Sequence, residues 1–134
     1  MKIAIIVPME EEAEFYKKHF KSENKEVFGT TEFDHFSVNG NDIYLGLSGI
    51  GKVNAAMNLT SLLTKEDIDV IFMTGSAGSL QEDVKRKDLI LPNKFMYYDA
   101  HNTSAGNYVE GQIPQEPAGY TLDNSFRAKF AAYL

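Results

Sequence analysis

The stretch that most constrains this chain is VIFMTGSAGS, residues 70–79. Four apolar residues, Val70, Ile71, Phe72 and Met73, run without a polar break into Thr74-Gly75-Ser76-Ala77-Gly78-Ser79. Such a run suits a strand buried on both faces, as in a parallel sheet with helices above and below. The small residues after it let a backbone come close to a ligand, because glycine carries no Cβ. In open α/β sheets, ligands sit in the crevice at the carboxyl ends of the strands. The stretch reads as the floor of a site. A plain strand followed by a tight glycine turn would use the same residues.

The chain opens on a similar unit. Ile3-Ala4-Ile5-Ile6-Val7 is continuous and mostly β-branched, and Pro8 ends it because proline has no N–H to give to a central strand. Met9-Glu10-Glu11-Glu12 then leads a helix with Ala13, Tyr16 and Phe20 on one stripe. The glutamates suit the positive end of its dipole, and Lys17, Lys18 and Lys21 the negative end. A glutamate cluster opening a helix needs no role beyond that one.

Asn39-Gly40, between FSV and IYLGL, is a strong hairpin signal within two or three antiparallel strands. It places Phe33, Phe36 and Val38 on one arm and Ile43, Leu45 and Leu47 on the other. His35 is expected to be exposed in this ribbon. Ser48-Gly49-Ile50-Gly51-Lys52 makes another strand-to-helix turn, and the helix after it spans residues 52–64, with Val53, Ala56, Met57, Thr60 and Leu63 on one face. The turn is no Walker loop, since the spacing differs and no Ser or Thr follows the lysine.

Leu89-Ile90-Leu91 starts a further strand that resumes after Pro92 over residues 95–98. Residues 99–120 form a long loop, and loops of that length are functional or disordered. Tyr108, Val109, Ile113, Pro114 and Tyr120 suggest that it packs on something, such as a second subunit. Asp123 caps a last helix with Phe126, Phe130 and Tyr133 as its apolar face. This order implies an α/β fold in three layers, a mixed, mostly parallel sheet with helices on both faces, forming a single domain over residues 1–134. No strand follows the last helix, so the fold reads as incomplete at its carboxyl terminus.

With 134 residues, 43% of them hydrophobic, the chain can bury a real core. Its net charge of −6 argues against a nucleic-acid partner. The absence of cysteine excludes disulfides and thiolate metal sites. The apolar start is too short for a signal peptide or a membrane span, so a cytoplasmic protein without a membrane partner is expected.

The turns after Val7, Leu47 and Met73 would converge at one sheet edge. They would bring together Met9, Glu12, Ile50 and the Ser76-Ala77-Gly78 run. Such a site offers one carboxylate, one hydroxyl, backbone N–H groups and two apolar side chains, with no metal-ligand cluster and no nucleophile–base pair. A carboxylate beside backbone amides can position and deprotonate a water. That chemistry implies hydrolysis, or binding of a polyhydroxylated small molecule.

KIAIIVPMEEE, LSGIGKVNAA, DVIFMTGSAGSL and YYDAHNTSAG…GQIP follow one another along nearly the whole chain. Together they resemble the bacterial methylthioadenosine/S-adenosylhomocysteine nucleosidases of the nucleoside phosphorylase superfamily. The resemblance implies a nucleoside phosphorylase-like fold, here its amino-terminal portion. It also implies hydrolysis of the N-glycosidic bond of the nucleoside to adenine and a 5-thioribose sugar. Glu12 takes the place of the general base and Met9 packs by the ribose. Ile50 lies near the alkylthio group, and Ser76, Ala77 and Gly78 line the water and purine side. Asn102, Ala105 and Pro114 fall where the family covers the partner subunit's pocket in a homodimer. The family uses no metal and no organic cofactor.

Several departures from the family are visible. Val7-Pro8 stands where the family usually has Gly-Ala, and Asn102 and Ala105 replace apolar or aromatic residues. Phosphorolytic relatives carry an arginine in the first turn, and Pro8-Met9-Glu10 here favours water as the acceptor. The family's ribose-gripping Met-Glu pair and purine-protonating Asp match no residue of this chain. The alternative reading is therefore a non-catalytic nucleoside-binding or interaction module that retains the front half of the fold.

Overall fold

The computed structural model describes residues 1–133, with the side chain of Ala105 outside the described set. The chain divides into two compact units, Met1–Gly78 and Ser79–Leu134.

The first unit is built on β1 (Lys2–Val7), followed by α1 (Glu10–His19), β2 (Asn24–Phe28), β3 (Thr31–Val38), β4 (Asn41–Leu47), α2 (Lys52–Leu63) and β5 (Val70–Met73). The strands form one sheet in the order β2-β3-β4-β1-β5. β1 pairs in parallel with β4 (Ile5 opposite Leu45) and with β5 (Ile5 opposite Phe72). β2–β3 and β3–β4 are antiparallel. The sheet is thus mixed, with as many antiparallel pairings as parallel ones, where a mostly parallel sheet was expected. The Asn39-Gly40 turn behaves as its sequence predicts: both residues take positive φ, 51° and 76°, which suits the twist of a two-residue hairpin.

Alternation along β1 divides the core between the two faces. Ala4 and Ile6 pack with Phe28, Phe33, Tyr44 and Leu62, the last supplied by α2. Val7 packs on the other face with Ala13 of α1, Phe36 and Leu45, flanked by Tyr16 and Phe20. Helices therefore cover both faces of this sheet. Phe28 meets Phe33 and Tyr44 edge-on at 5.5 and 6.0 Å, and Phe20 stacks on Phe36 at 5.3 Å. Opposite Phe33 on β4 stands Gly46, where an added Cβ would come within 2.2 Å of the Phe33 ring. The glycine is what lets that ring lie across the neighbouring strand.

Three further expectations for this unit are corrected. β5 is an edge strand, with Ile71 45% and Met73 62% exposed, so residues 70–74 are not among the most buried. An unbroken apolar run gives the composition of a strand but not its rank in the sheet, and β1, between β4 and β5, is paired on both sides. α2 seats Leu59 and Leu62 on the core, while Val53 and Met57 of the expected face are 71% and 59% exposed. Apolar residues surround this helix on more than one side, so periodicity alone could not choose the seam. His35 is half-buried rather than exposed: it stacks on Tyr44 at 4.8 Å, and its Nδ1 lies 3.0 Å from Asn24 Oδ1.

The second unit holds β6 (Lys94–Phe95), a 3-10 turn at Thr103–Ala105, β7 (Tyr120–Thr121) and α3 (Asn124–Ala131). β6 and β7 pair antiparallel and close the base of the long loop. The strand expected at Leu89-Ile90-Leu91 does not form, and Leu89 and Ile90 are 72% and 58% exposed. Asp123 does cap α3, its carboxylate accepting from the N–H groups of Ser125 and Phe126 at 2.8 and 3.0 Å. α3 buries none of its residues, and Tyr133 of its expected apolar face is exposed. Among the described residues no helix is long and apolar enough to cross a membrane.

Candidate active site

Because β4, β1 and β5 run parallel, their carboxyl ends open on the same edge of the first unit. The Thr74 N–H continues the β1–β5 ladder one step beyond the strand, donating to the Ile6 carbonyl at 3.1 Å. The following turn is thereby held beside the start of α1. Met9 is the cap residue of that helix, and its carbonyl accepts from the N–H groups of Glu12 and Ala13, both at 3.2 Å. Glu12 is thus presented in the first turn, toward residues 74–76.

The Ser76 N–H and the Ser76 hydroxyl both donate to Glu12 Oε1, each at 2.6 Å. Gly75 permits this approach, since a Cβ there would lie 3.1 Å from Glu12 Oε2 and 3.2 Å from the carboxyl carbon. The hydrogen bond from the Ser76 hydroxyl, then that from the Ser76 N–H, hold the Glu12 carboxyl below the usual carboxylate range. Desolvation opposes them, and the backbone contact at Met9 adds to them. Glu12 is therefore a carboxylate at neutral pH. Its second oxygen, Oε2, is buried and has no hydrogen-bond partner among the described residues. One turn along α1, the Tyr16 hydroxyl donates to Thr74 Oγ1 at 3.1 Å.

Of the residues singled out from sequence, Glu12 and Ser76 meet directly and Met9 joins them through the backbone. Ala77 and Gly78 follow on the exposed end of the same turn. Ile50, 73% exposed on the turn after β4, offers its carbonyl to Asn54 Nδ2 at 2.8 Å. Asn58 Nδ2 ties α2 to the Ser48 carbonyl of that turn at 2.6 Å. In the second unit, Asn102 Nδ2 donates to the Gln112 carbonyl at 3.0 Å, so its amide braces the loop, and Pro114 is half-buried. The side chain of Ala105 lies outside the described residues. Tyr16, Thr74 and Gly75 were not singled out as site residues. The available signal was spacing, since Tyr16 follows Glu12 by one helical turn.

Residues 2–134 match the family model described as the phosphorylase superfamily. The chain belongs to that superfamily. Among its relatives in the superfamily, the 5'-methylthioadenosine/S-adenosylhomocysteine nucleosidase of Bacillus licheniformis is 38% identical over 125 residues, covering 93% of this chain and 54% of that protein. The corresponding protein of Maridesulfovibrio salexigens is 40% identical over 123 residues, covering 92% and 53%. The Streptococcus pneumoniae nucleosidase, solved with the transition-state inhibitor MT-ImmA, superposes with a TM-score of 0.91 at 30% identity, covering all of this chain and 58% of that one. A Colwellia psychrerythraea nucleosidase in complex with adenine gives 0.91 at 30% identity, covering 98% and 54%. This superfamily member is thus a homologue of the methylthioadenosine/S-adenosylhomocysteine nucleosidases, matching their amino-terminal portion. It spans about half the length of the relatives it matches.

Proposed function

We propose that the chain carries the water-activating half of a nucleosidase site for 5'-methylthioadenosine and S-adenosylhomocysteine. The observation that supports this reading best is Glu12. One carboxylate oxygen is fixed by both Ser76 donors, and the other is buried with no hydrogen-bond partner among the described residues. In the reaction, a water oxygen bonds to the anomeric carbon as the bond to the purine nitrogen breaks. Glu12 takes the proton from that water, and the electron pair of the broken bond leaves with the purine, which needs a proton from an acid. A carboxylate held below the usual range accepts its proton late, as positive charge builds on the sugar and acidifies the attacking water. Met9 then packs by the ribose, Ile50 near the alkylthio group, and Ser76, Ala77 and Gly78 along the water and purine. A homodimer in which Asn102, Ala105 and Pro114 cover the partner's pocket belongs to the same reading, and so does the nucleoside as sole ligand, without metal or organic cofactor.

The acid on the purine and a clamp on the ribose have no counterpart here, and the chain matches only about half of its relatives. The alternative is a non-catalytic nucleoside-binding or interaction module. A coupled assay for released adenine, run beside calorimetric titration with methylthioadenosine, separates the two. The 134-residue chain is expected to turn over negligibly. A protein completed with the relatives' second half is expected to be active and to lose ~10²–10⁴-fold on Glu12→Gln. Full activity of that Gln variant would exclude Glu12 as the base.

A further inference from the structure

α1 meets the turn after β5 at two points rather than one. Glu12 and Tyr16 stand one helical turn apart, about 6 Å along the axis, and project from the same face. Their partners, Ser76 and Thr74, are two residues apart, which in near-extended chain is also about 6–7 Å. Helix and turn therefore match in repeat and run in opposite directions, with Glu12 on Ser76 and Tyr16 on Thr74. The outer contact is specific in its atoms: hydroxyl to hydroxyl at 3.1 Å, both side chains half-buried, with the Tyr16 ring packed on the Val7–Leu45–Phe36 cluster. The ring fixes the helix on the sheet, while the hydroxyl fixes the turn on the helix.

We propose that Tyr16 is a positioning residue for Glu12, its hydroxyl holding Thr74 so that Ser76 stays seated on the carboxylate. The proposal rests on the reading of Glu12 as the base. Tyr16 itself touches no reacting atom. Its effect passes through the two peptide units between Thr74 and Ser76 to the Ser76 N–H and hydroxyl. When the tether is lost, the turn keeps its ladder bond to Ile6 but is free to swing beyond it. The Ser76 donors then spend part of their time away from Oε1, and the carboxylate loses part of what aims its free oxygen.

The test is a carbon-detected NMR titration of the Glu12 carboxyl in the labelled 134-residue chain. Hydrogen bonds to a carboxylate shift its titration by about a unit each, so Ser76→Ala should raise the Glu12 midpoint by roughly that much. Tyr16→Phe, which keeps the ring and removes only the hydroxyl, should raise it in the same direction but by less than Ser76→Ala. Thr74→Val should match Tyr16→Phe, the double variant should add nothing further, and Thr74→Ser should restore the original midpoint. If Tyr16→Phe and Thr74→Val lower the melting temperature while the Glu12 midpoint stays in place, the tether is merely structural and the proposal is wrong. If Ser76→Ala also leaves the midpoint in place, the Ser76–Glu12 contact fails, and the reading of Glu12 fails with it. Should Tyr16→Phe not fold, Thr74→Val carries the same test from the other side of the bond.

Discussion

Gly46→Ala is a substitution for which general rules and this structure predict opposite signs. Glycine inside a strand is normally about 0.5–1 kcal/mol worse than alanine, so the change should stabilise. Here Gly46 faces Phe33 across β3–β4, and an added Cβ would sit 2.2, 2.6 and 2.7 Å from three carbons of that ring. The ring cannot step aside easily. Phe33 is fully buried and held edge-on against Phe28. Overpacking of this kind costs about 1–3 kcal/mol, which exceeds the backbone gain and leaves a net loss of roughly 1–2 kcal/mol. With a urea slope of about 1–3 kcal/mol per molar, the unfolding midpoint should fall by around 1 M. Phe33→Leu in the same chain should relieve part of the clash, so the double variant is expected to be more stable than the sum of the two singles by about 1 kcal/mol. Strict additivity, or a rise in midpoint for Gly46→Ala alone, would refute the account of this pair.

Two further outcomes follow from local geometry. Gly40→Val forces a β-branched residue to a φ near 76° in the hairpin turn and should cost about 1–2 kcal/mol in the same urea experiment, whereas Gly40→Asn should be nearly silent. Glu66 is held below the usual carboxylate range, first by the hydrogen bond from the Lys2 ammonium at 2.6 Å, against desolvation. Its contribution is complete above the ordinary carboxylate value of about 4 and is lost as pH falls through the lowered folded value. Unfolding midpoints measured from pH 7 to pH 2 should drop less steeply at the acid end for Lys2→Met than for the original chain.

What the sequence made legible was local. Pro8 ending β1, three acids opening α1, Asn39-Gly40 turning the hairpin and Asp123 capping α3 are each decided within a few residues. The Gly46 contact could also have been read, because a two-residue turn that sets Val38 opposite Asn41 also sets Phe33 opposite Gly46. Expectations failed where the answer depended on distant chain. Nothing in Val70–Met73 reveals that β5 pairs, among the described residues, with β1 alone, and nothing in Lys52–Leu63 reveals which of its apolar faces meets Phe28 and Phe33. β6 and β7 are two residues each, too short for any periodicity, and their pairing is visible only in three dimensions.

The same distinction bears on how the small residues after β5 are understood. Read along the chain, Gly75 lowers the floor of a crevice so that a ligand can come close. In the structure, what comes close at that position is the chain's own carboxylate, with Glu12 3.1–3.2 Å from where a methyl group would stand. The hydroxyl and N–H that meet it belong to the next residue, and the bond that steadies the turn belongs to the residue before. Thr74, Gly75 and Ser76 thus act together on Glu12: one anchors, one makes room and one donates. The first ligand of this turn is Glu12.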